Sequence, residues 1–455
     1  MVDGSPEPFL VWEFASKHLL VILMDTAKIA IVGLGTVGTC VAQLLLKEDD
    51  RIARHAGRRV RLVRVVVRDL DKPRGVDLPR ELVTDDLSAV TDDPEITAVV
   101  QTVGGLEPAR TIMVRLLESG KDVVTANKAL LAEHGPELFD RARELGRSIA
   151  FDAAVAGGIP IVTNISQCLS SNQIQSLHGI LNGTCNFVIS QMDEAGADYA
   201  AAVREAQRLG YAETDPSLDV DGSDAAQKLA ILAQLAFGAR VHWQDIPREG
   251  IDQLEAADLK FTRELGYRIK LLAVAQLVDD ALELHVAPQL VRNDSPLAEV
   301  RDAYNAVRIV GDAVGRVWFH GLGAGGMPTA SAVVADLIDT VVGRAAITFR
   351  TLDLWSQRPA RVMLRDYANV TGRYYLRFEV VDHPGVLAEI TGALGRNAIS
   401  IASVIQHEAS EAGDQIVSLV VMTHVTTDGA IRKAAAEIDR LNVTRSKTTV
   451  MRVLD

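Results

Sequence analysis

Five carboxylates, Glu213, Asp215, Asp219, Asp221 and Asp224, fall within twelve residues of the stretch GYAETDPSLDVDGSDAAQKLAIL, and Lys228 follows Asp224 by four. Residues i and i+4 share a helix face, so an ordinary surface ion pair worth a few tenths of a kcal/mol is one reading. Both residues, however, head the most apolar helical stretch of the chain, which disfavours a purely exposed pair. A partly desolvated ammonium beside carboxylates is what proton transfer to a carbonyl requires. DVDGSD resembles half a calcium loop but lacks the third ligand spacing and the closing Glu. Lys128, in VVTANKALLAEHG, follows a strand and enters a helix. A cation there opposes the helix dipole by roughly 0.3–1 kcal/mol, so an anionic neighbour such as a substrate carboxylate is expected; a surface lysine is the plain alternative.

Glycines supply the second kind of chemistry. GLGTVG, containing Gly33, Gly35, Thr36, Val37 and Gly38, follows an apolar run and opens a helix. In that setting the first glycine makes the turn, the second admits a pyrophosphate and the third permits close packing, while the helix N-terminus offers N–H groups to the phosphates. At the end of the next strand, VVVRDLDKPR carries Arg68 and Lys72, which suit a phosphate dianion and point to NADP. Asp69 keeps NAD open, because a carboxylate there accepts the ribose 2′-OH. FDAAVAGGIPIV joins a carboxylate to small residues and Gly-Gly, which suits either a monovalent cation held by carbonyls or a close-packed turn.

These residues need elements to hold them. Apolar runs at 28–32, 61–67, 96–103, 122–126 and 148–155 alternate with helical stretches after 36, near 108–119 and near 136–145. That order predicts a right-handed parallel sheet covered on both faces. The basic stretch ARHAGRR reads as a surface loop. Beyond it, LHGILNGTCNFVI reads as one or two strands entering a helix, 224–237 as an amphipathic helix, YRIKLLAVAQLV and ALELHVAPQLV as paired strands, and GLGAGGMPTASAVVADLIDTVV as a glycine turn and a long helix. Residues 350–371 suit a linker. From Arg373 a β-α-β-β-α order with a final VMRVL strand predicts a ferredoxin-like module. The resulting boundaries are an N-terminal extension at 1–26, a dinucleotide domain at 27–152, a mixed domain at 153–349, the linker at 350–371, and the ferredoxin-like domain at 372–455.

At 455 residues with 48% hydrophobic and 24% charged, the chain is expected to fold into several domains. Its net charge of −13 disfavours nucleic acid and anionic membranes. The cysteines Cys40, Cys168 and Cys185 form no CxxC or metal spacing and read as reduced, which suits the cytoplasm. Residues 9–24 are apolar but broken by Glu13, Lys17 and His18, too short to span a bilayer. With acidic residues before them they do not read as a signal peptide, and a surface helix ahead of the functional start is expected.

GLGTVG, VVTANKALLAEHG, AVAGGIP, LNGTCNFVI, GYAETDP, DAAQKLAILA and GAGGMPTASAVVADL together resemble homoserine dehydrogenase, and DHPGVLAEITGALGRNAISIASVIQ resembles an ACT domain. The resemblance runs from about residue 27 to 452. It implies a Rossmann-type doubly wound domain, an α+β catalytic domain and a ferredoxin-like ACT domain. It also implies NAD(P)-dependent, reversible reduction of L-aspartate 4-semialdehyde to L-homoserine on the route to threonine, methionine and isoleucine. By that resemblance Lys228 is the proton donor with Asp224 beside it, Glu213 holds the substrate's amino end, and Lys128 lies near substrate and nicotinamide. Thr102, Gly104, Gly323 and Gly325 join the cofactor-binding positions. Carbonyls of Asp152, Val155, Gly157 and Ile159 correspond to a sodium site, although the family's usual Glu is here Asp152. L-threonine is the implied effector, a homodimer or homotetramer the implied assembly, and removal of residues after about 365 is expected to leave an active, insensitive enzyme.

Two other readings remain. Another ACT-tailed dehydrogenase, such as phosphoglycerate dehydrogenase, would need a catalytic His with a carboxylate partner, and His178 and His242 lack that context. A non-catalytic amino-acid sensor would have no reason to retain a desolvated charge cluster.

Overall fold

The computed structural model describes residues 25–351, 362–406 and 416–454. The expected N-terminal helix, and the part of the linker at 352–361, lie outside the described residues. The chain divides into two compact units. The first takes the described residues up to 130, 137–153 and 326–351; the second takes 131–136, 154–325 and everything described from 362 on.

In the first unit β1 (Thr26–Val32) leads to α1 (Thr36–Lys47), α2 (Asp49–Ala56) and β2 (Arg59–Val66). β3 (Val83–Thr84), β4 (Ile96–Gln101), α3 (Ala109–Glu118), β5 (Asp122–Thr125), α4 (Lys128–Glu144) and β6 (Ile149–Ala150) follow. The all-parallel sheet has the order β3-β2-β1-β4-β5-β6. The order reverses between β1 and β4, the switch point at which such sheets bind ligands. Ile29, Ile31, Val65 and Val100 from the strands, with Val41 and Leu45 from α1, form the core. A later helix, Gly326–Val341, returns Ala330, Val333 and Leu337 to it. Gly326 permits that return, since a Cβ there would lie 2.8 Å from Cys40 Sγ.

Three expectations change here. ARHAGRR is not a loop: its first four residues close α2, whose Ile52, Ala53 and Ala56 are buried, and Gly57 caps it at φ 66°. The helix expected from 136 starts at Lys128 and carries Pro136 inside it. The strand expected over 148–155 shrinks to β6, because Asp152–Ala154 turns into a 3-10 helix.

The second unit is built on β7 (Ile174–Ile180), α5 (Gly183–Ala195), α6 (Tyr199–Arg208), α7 (Ser223–Phe237) and α8 (Ala256–Glu264). The hairpin β8 (Tyr267–Val278) and β9 (Ala281–Arg292) and the pair β10 (Tyr304–Gly311) and β11 (Gly315–Leu322) extend its sheet. The second pair escaped the sequence reading, since its edge strand β11 buries no continuous apolar run. α7 is not amphipathic as expected: residues from Ser223 to Ala233 are buried nearly all round.

The C-terminal module comprises β13 (Thr371–Val381), α9 (Val386–Arg396), β14 (Ile401–Gln406), β15 (Ile416–Thr423), α10 (Asp428–Ile438) and β17 (Thr449–Leu454), with the two-residue β12 (Met363–Leu364) and β16 (Thr426–Thr427) alongside. Tyr374, Leu376, Phe378 and Val380 of β13 pack on Ile390, Leu394 and Ile431. The module's sheet is continuous with the catalytic one. β17 pairs in parallel with β9, Arg452 opposite Gln289 and Leu454 opposite Val291, giving one eleven-stranded sheet. The other face of β13 meets α8, where Arg377 grips Asp258 by two bonds of 2.6 and 3.0 Å and Tyr375 adds a third of 3.1 Å. Asp258 is 0% exposed and Arg377 3%. Cutting the chain after about 365 would leave β9 with an open edge and Asp258 buried without its cation, so an intact truncated enzyme is not what this architecture predicts.

Candidate active site

In the second unit, Lys228 and Asp224 are adjacent on α7 and are 8% and 7% exposed. The ammonium donates to Asp224 Oδ2 at 2.7 Å and to the Leu181 carbonyl at 2.6 Å. Asn182, the N-cap of α5, accepts from Cys185 N–H and donates Nδ2 to both Asp224 Oδ2 and Asp219 Oδ1, each at 2.8 Å. Thr184 Oγ1 reaches Asp219 Oδ2 at 3.1 Å and the Tyr211 carbonyl at 2.7 Å. Burial, then the neighbouring Asp224 charge, raise the Asp219 carboxyl above its ordinary value. Burial and the same carboxylates push the Cys185 thiol well up, keeping it protonated. Asp219 and Asp224 thus lie together beside the Lys228 ammonium, an arrangement of the kind that binds and orients a polar substrate.

Asn182 and Thr184 stand in the LNGT motif but had no assigned role, and Asp219 was one carboxylate among five. The signal for them was an Asn cap followed by Gly-Thr at a helix start. Glu213 does not join the cluster: its side chain is exposed on the loop after α6, which Gln207 holds through the carbonyls of Glu213 and Thr214. Asp215 is also exposed and bonds Ser217, whereas Asp221 caps Ser223 at 2.7 Å. Buried His178 is held down to about 3 by burial and Arg308, and His242 faces Glu133 at 3.3 Å.

The first unit carries the glycine turn. Gly33 sits at φ 97°, and its carbonyl accepts from Thr102 Oγ1 at 2.7 Å, tying the end of β4 to the turn. A Cβ on Gly38 would lie 2.2 Å from the Gly33 carbonyl oxygen, so the helix head closes only on glycine. Gly35 and Gly104, by contrast, would have no protein atom within 4 Å of a Cβ, so their smallness leaves room rather than packing. Thr36 and Val37 begin α1 with no acidic side chain in its first turn. Asn127 caps α4 ahead of Lys128, accepting from Leu130 N–H, and binds the Val103 and Gly105 carbonyls at 3.0 and 2.7 Å. Lys128 itself is half-buried.

After β2, Arg68 and Lys72 are exposed. Asp69 Oδ1 instead accepts the N–H groups of Asp71 and Lys72 at 3.0 and 3.2 Å, ordering its own turn. Arg74 and Arg80 bond the carbonyls of Lys72 and Leu70 at 2.8 and 3.0 Å and add basic groups there that the sequence reading passed over. In the 152–159 turn, Ala156 takes φ 50° and Ile159 N–H bonds the Ala156 carbonyl at 2.6 Å. Among the described residues no group of three or more His, Cys, Asp or Glu could hold a metal ion, and no helix is long and apolar enough to cross a membrane. In the C-terminal module a cavity of about 380 Å³ is lined by Asp382, His383, Gly385, Leu387, Gln406 and Leu419, with Gly385 at φ 100° as the cap of α9.

Against known proteins, the family described as homoserine dehydrogenase matches residues 160–338, its NAD-binding domain 33–152, and the ACT domain 374–443. A homoserine dehydrogenase of Synechocystis is 42% identical over 94% of this chain and 100% of its own. One from Pseudomonas aeruginosa is 42% identical over 92% and 96%. The crystal structure of a homoserine dehydrogenase from Thiobacillus denitrificans is 41% identical, with a TM-score of 0.87 over 95% of this chain and 99% of that one. A hyperthermophilic archaeal homoserine dehydrogenase solved in complex with NADPH covers 70% of this chain and 98% of its own at 26% identity and a TM-score of 0.58.

Proposed function

This chain belongs to the homoserine dehydrogenase family and is an oxidoreductase with a C-terminal ACT domain, and from that we propose that it interconverts L-aspartate 4-semialdehyde and L-homoserine with NADP in the synthesis of threonine, methionine and isoleucine. The observation that carries the chemistry is the buried Lys228 ammonium, bonded to Asp224 at 2.7 Å and to the Leu181 carbonyl at 2.6 Å. The nicotinamide supplies the hydride when bound. As negative charge grows on the aldehyde oxygen, Lys228 stabilises it and gives it a proton. Asp224 and Asp219, held together by Asn182, attract the substrate ammonium. Glu213 and Lys128 are the remaining substrate contacts, and Lys128 also attends the nicotinamide.

Gly33, Gly35, Thr36, Val37, Gly38, Thr102, Gly104, Gly323 and Gly325 are the cofactor's main-chain neighbours in this reading. NADP is favoured over NAD because Asp69 spends an oxygen on its own turn while Arg68 and Lys72 stay open to a phosphate. For sodium, the carbonyls of Asp152, Val155, Gly157 and Ile159 would be the ligands and would stiffen the turn. Ile159 keeps a lone pair after accepting the Ile161 N–H, and the replacement of Glu by Asp152 leaves a main-chain ligand unchanged. L-threonine is the effector this reading assigns to the cavity at 380–387, where the N–H groups of the DHPG turn suit a carboxylate.

The test is reduced-nicotinamide absorbance with NADP and L-homoserine, against 3-phosphoglycerate and against no substrate. Turnover of L-homoserine supports the proposal; turnover of 3-phosphoglycerate favours a different ACT-tailed dehydrogenase, and none at all favours a sensor.

A further inference from the structure

Asn305, the second residue of β10, is 1% exposed, yet neither its Nδ2 nor its Oδ1 has a hydrogen-bond partner. Buried amides are nearly always bonded, because a desolvated donor or acceptor left unpaired loses its hydrogen bonds to water without replacing them. The amide lies against Gly323: a Cβ there would fall 2.0 Å from Nδ2 and 2.6 Å from Oδ1, so glycine alone allows this approach. Asn305 pairs with Gly321 across β10 and β11. Its other neighbour is the strand end of the reaction centre. Ala306 pairs with Ile180, so Asn305 lies level with Leu181, whose carbonyl receives the Lys228 ammonium. On the preceding side, Asn186 of α5 bonds the Tyr304 carbonyl at 3.3 Å, and Gly183 leaves just enough space for the Ala303 carbonyl.

An unpaired donor and acceptor therefore sit, without access to water, between the glycine segment 321–325 and the chain that anchors Lys228. A primary amide needs a partner offering both a donor and an acceptor, and the adjacent main chain at 323–325 offers both. We propose that Asn305 is a positioning residue of the reaction centre, whose amide bonds the 323–325 main chain only when substrate is seated beside Lys228. The ligand-free protein then carries a desolvated amide as a cost, and the bound state recovers its hydrogen bonds. The gain is made on binding and turnover rather than on folding.

This rests on the proposed activity, so the experiment reads stability and catalysis separately. Asn305→Leu keeps the side chain's branching and removes both polar atoms. The expected result is a thermal midpoint equal to or above wild type without substrate, with kcat/KM for L-homoserine lowered ten- to a hundredfold. If the midpoint and activity fall together, or kcat/KM stays within twofold, the inference is overturned. Should Asn305→Leu fail to fold, Gly323→Ala and the double variant Gly323→Ala with Asn305→Ala replace it. The single variant should lose activity, and removing the amide should restore folding without restoring kcat/KM; restoration of both would reduce Asn305 to packing. If wild type fails to turn over L-homoserine, the proposed activity has failed, while the stability comparison still reports on the unpaired amide.

Discussion

Replacing Lys228 with Met removes the ammonium while keeping a long unbranched side chain at the same buried position. Two consequences can be sized separately. The lysine is 8% exposed and bonded to Asp224 and to the Leu181 carbonyl, so its loss breaks a buried ion pair, at a cost of about 3–5 kcal/mol of stability. A positioned acid contributes about 10²–10⁴ to rate, or roughly 2.7–5.5 kcal/mol in the barrier. Lys228→Met with Asp224→Asn removes both charges and should recover much of the stability without the activity. Initial rates with saturating NADP and L-homoserine, read beside thermal midpoints, separate the two effects. A kcat for a folded Lys228→Met protein within threefold of wild type would refute the proton-transfer role.

Arg68→Ala with Lys72→Ala should raise KM for NADP at least tenfold and leave that for NAD nearly unchanged; equal changes would dismiss the 2′-phosphate assignment. Arg377→Met should destabilise the protein by about 3–5 kcal/mol in urea unfolding by stranding Asp258, and Arg377→Met with Asp258→Leu should restore most of it; an equally unstable double variant would contradict this. Acid should weaken the fold through His178. Its native value is held at about 3 by burial and Arg308, whereas the unfolded side chain titrates near its ordinary value of about 6.5. The unfolded chain therefore binds the extra proton between those values. The stability is complete above about 6.5 and declines as pH falls toward 3, at about 1.4 kcal/mol per pH unit. His178→Asn should flatten that slope in denaturant midpoints measured from pH 7 to 4.

Much of this architecture is legible because local signals and tertiary needs agree. GLGTVG between an apolar run and a helix states its turn, and Gly38 is glycine for the steric reason expected. The Asp224 and Lys228 spacing states the pair, and the apolar surroundings state its burial. What escaped depends on partners far along the chain. Asn182 had no role assigned from the LNGT motif, and its tie to Asp219 and Asp224 appears only when α5 meets α7. Glu213 was grouped with the other acids by proximity in sequence, but the loop leaves it in solvent. ARHAGRR read as a loop from its charges, although Ile52, Ala53 and Ala56 give α2 a buried stripe. Strands β10 and β11 carry too little apolar alternation to announce themselves, and their place is set by the pairing of β10 with β7 and of β11 with β10.

The seam between β9 and β17 bears on how the polypeptide reaches its native form. β9 is synthesised long before β17, which alone fills the gap between β9 and β13. Until then the nascent β9 presents unpaired N–H and C=O groups along Gln289 to Val291, a template for intermolecular pairing. Maturation of the catalytic sheet is therefore coupled to completion of the ACT module, and a lesion in β17 should appear as aggregation during expression before it appears as a change in regulation.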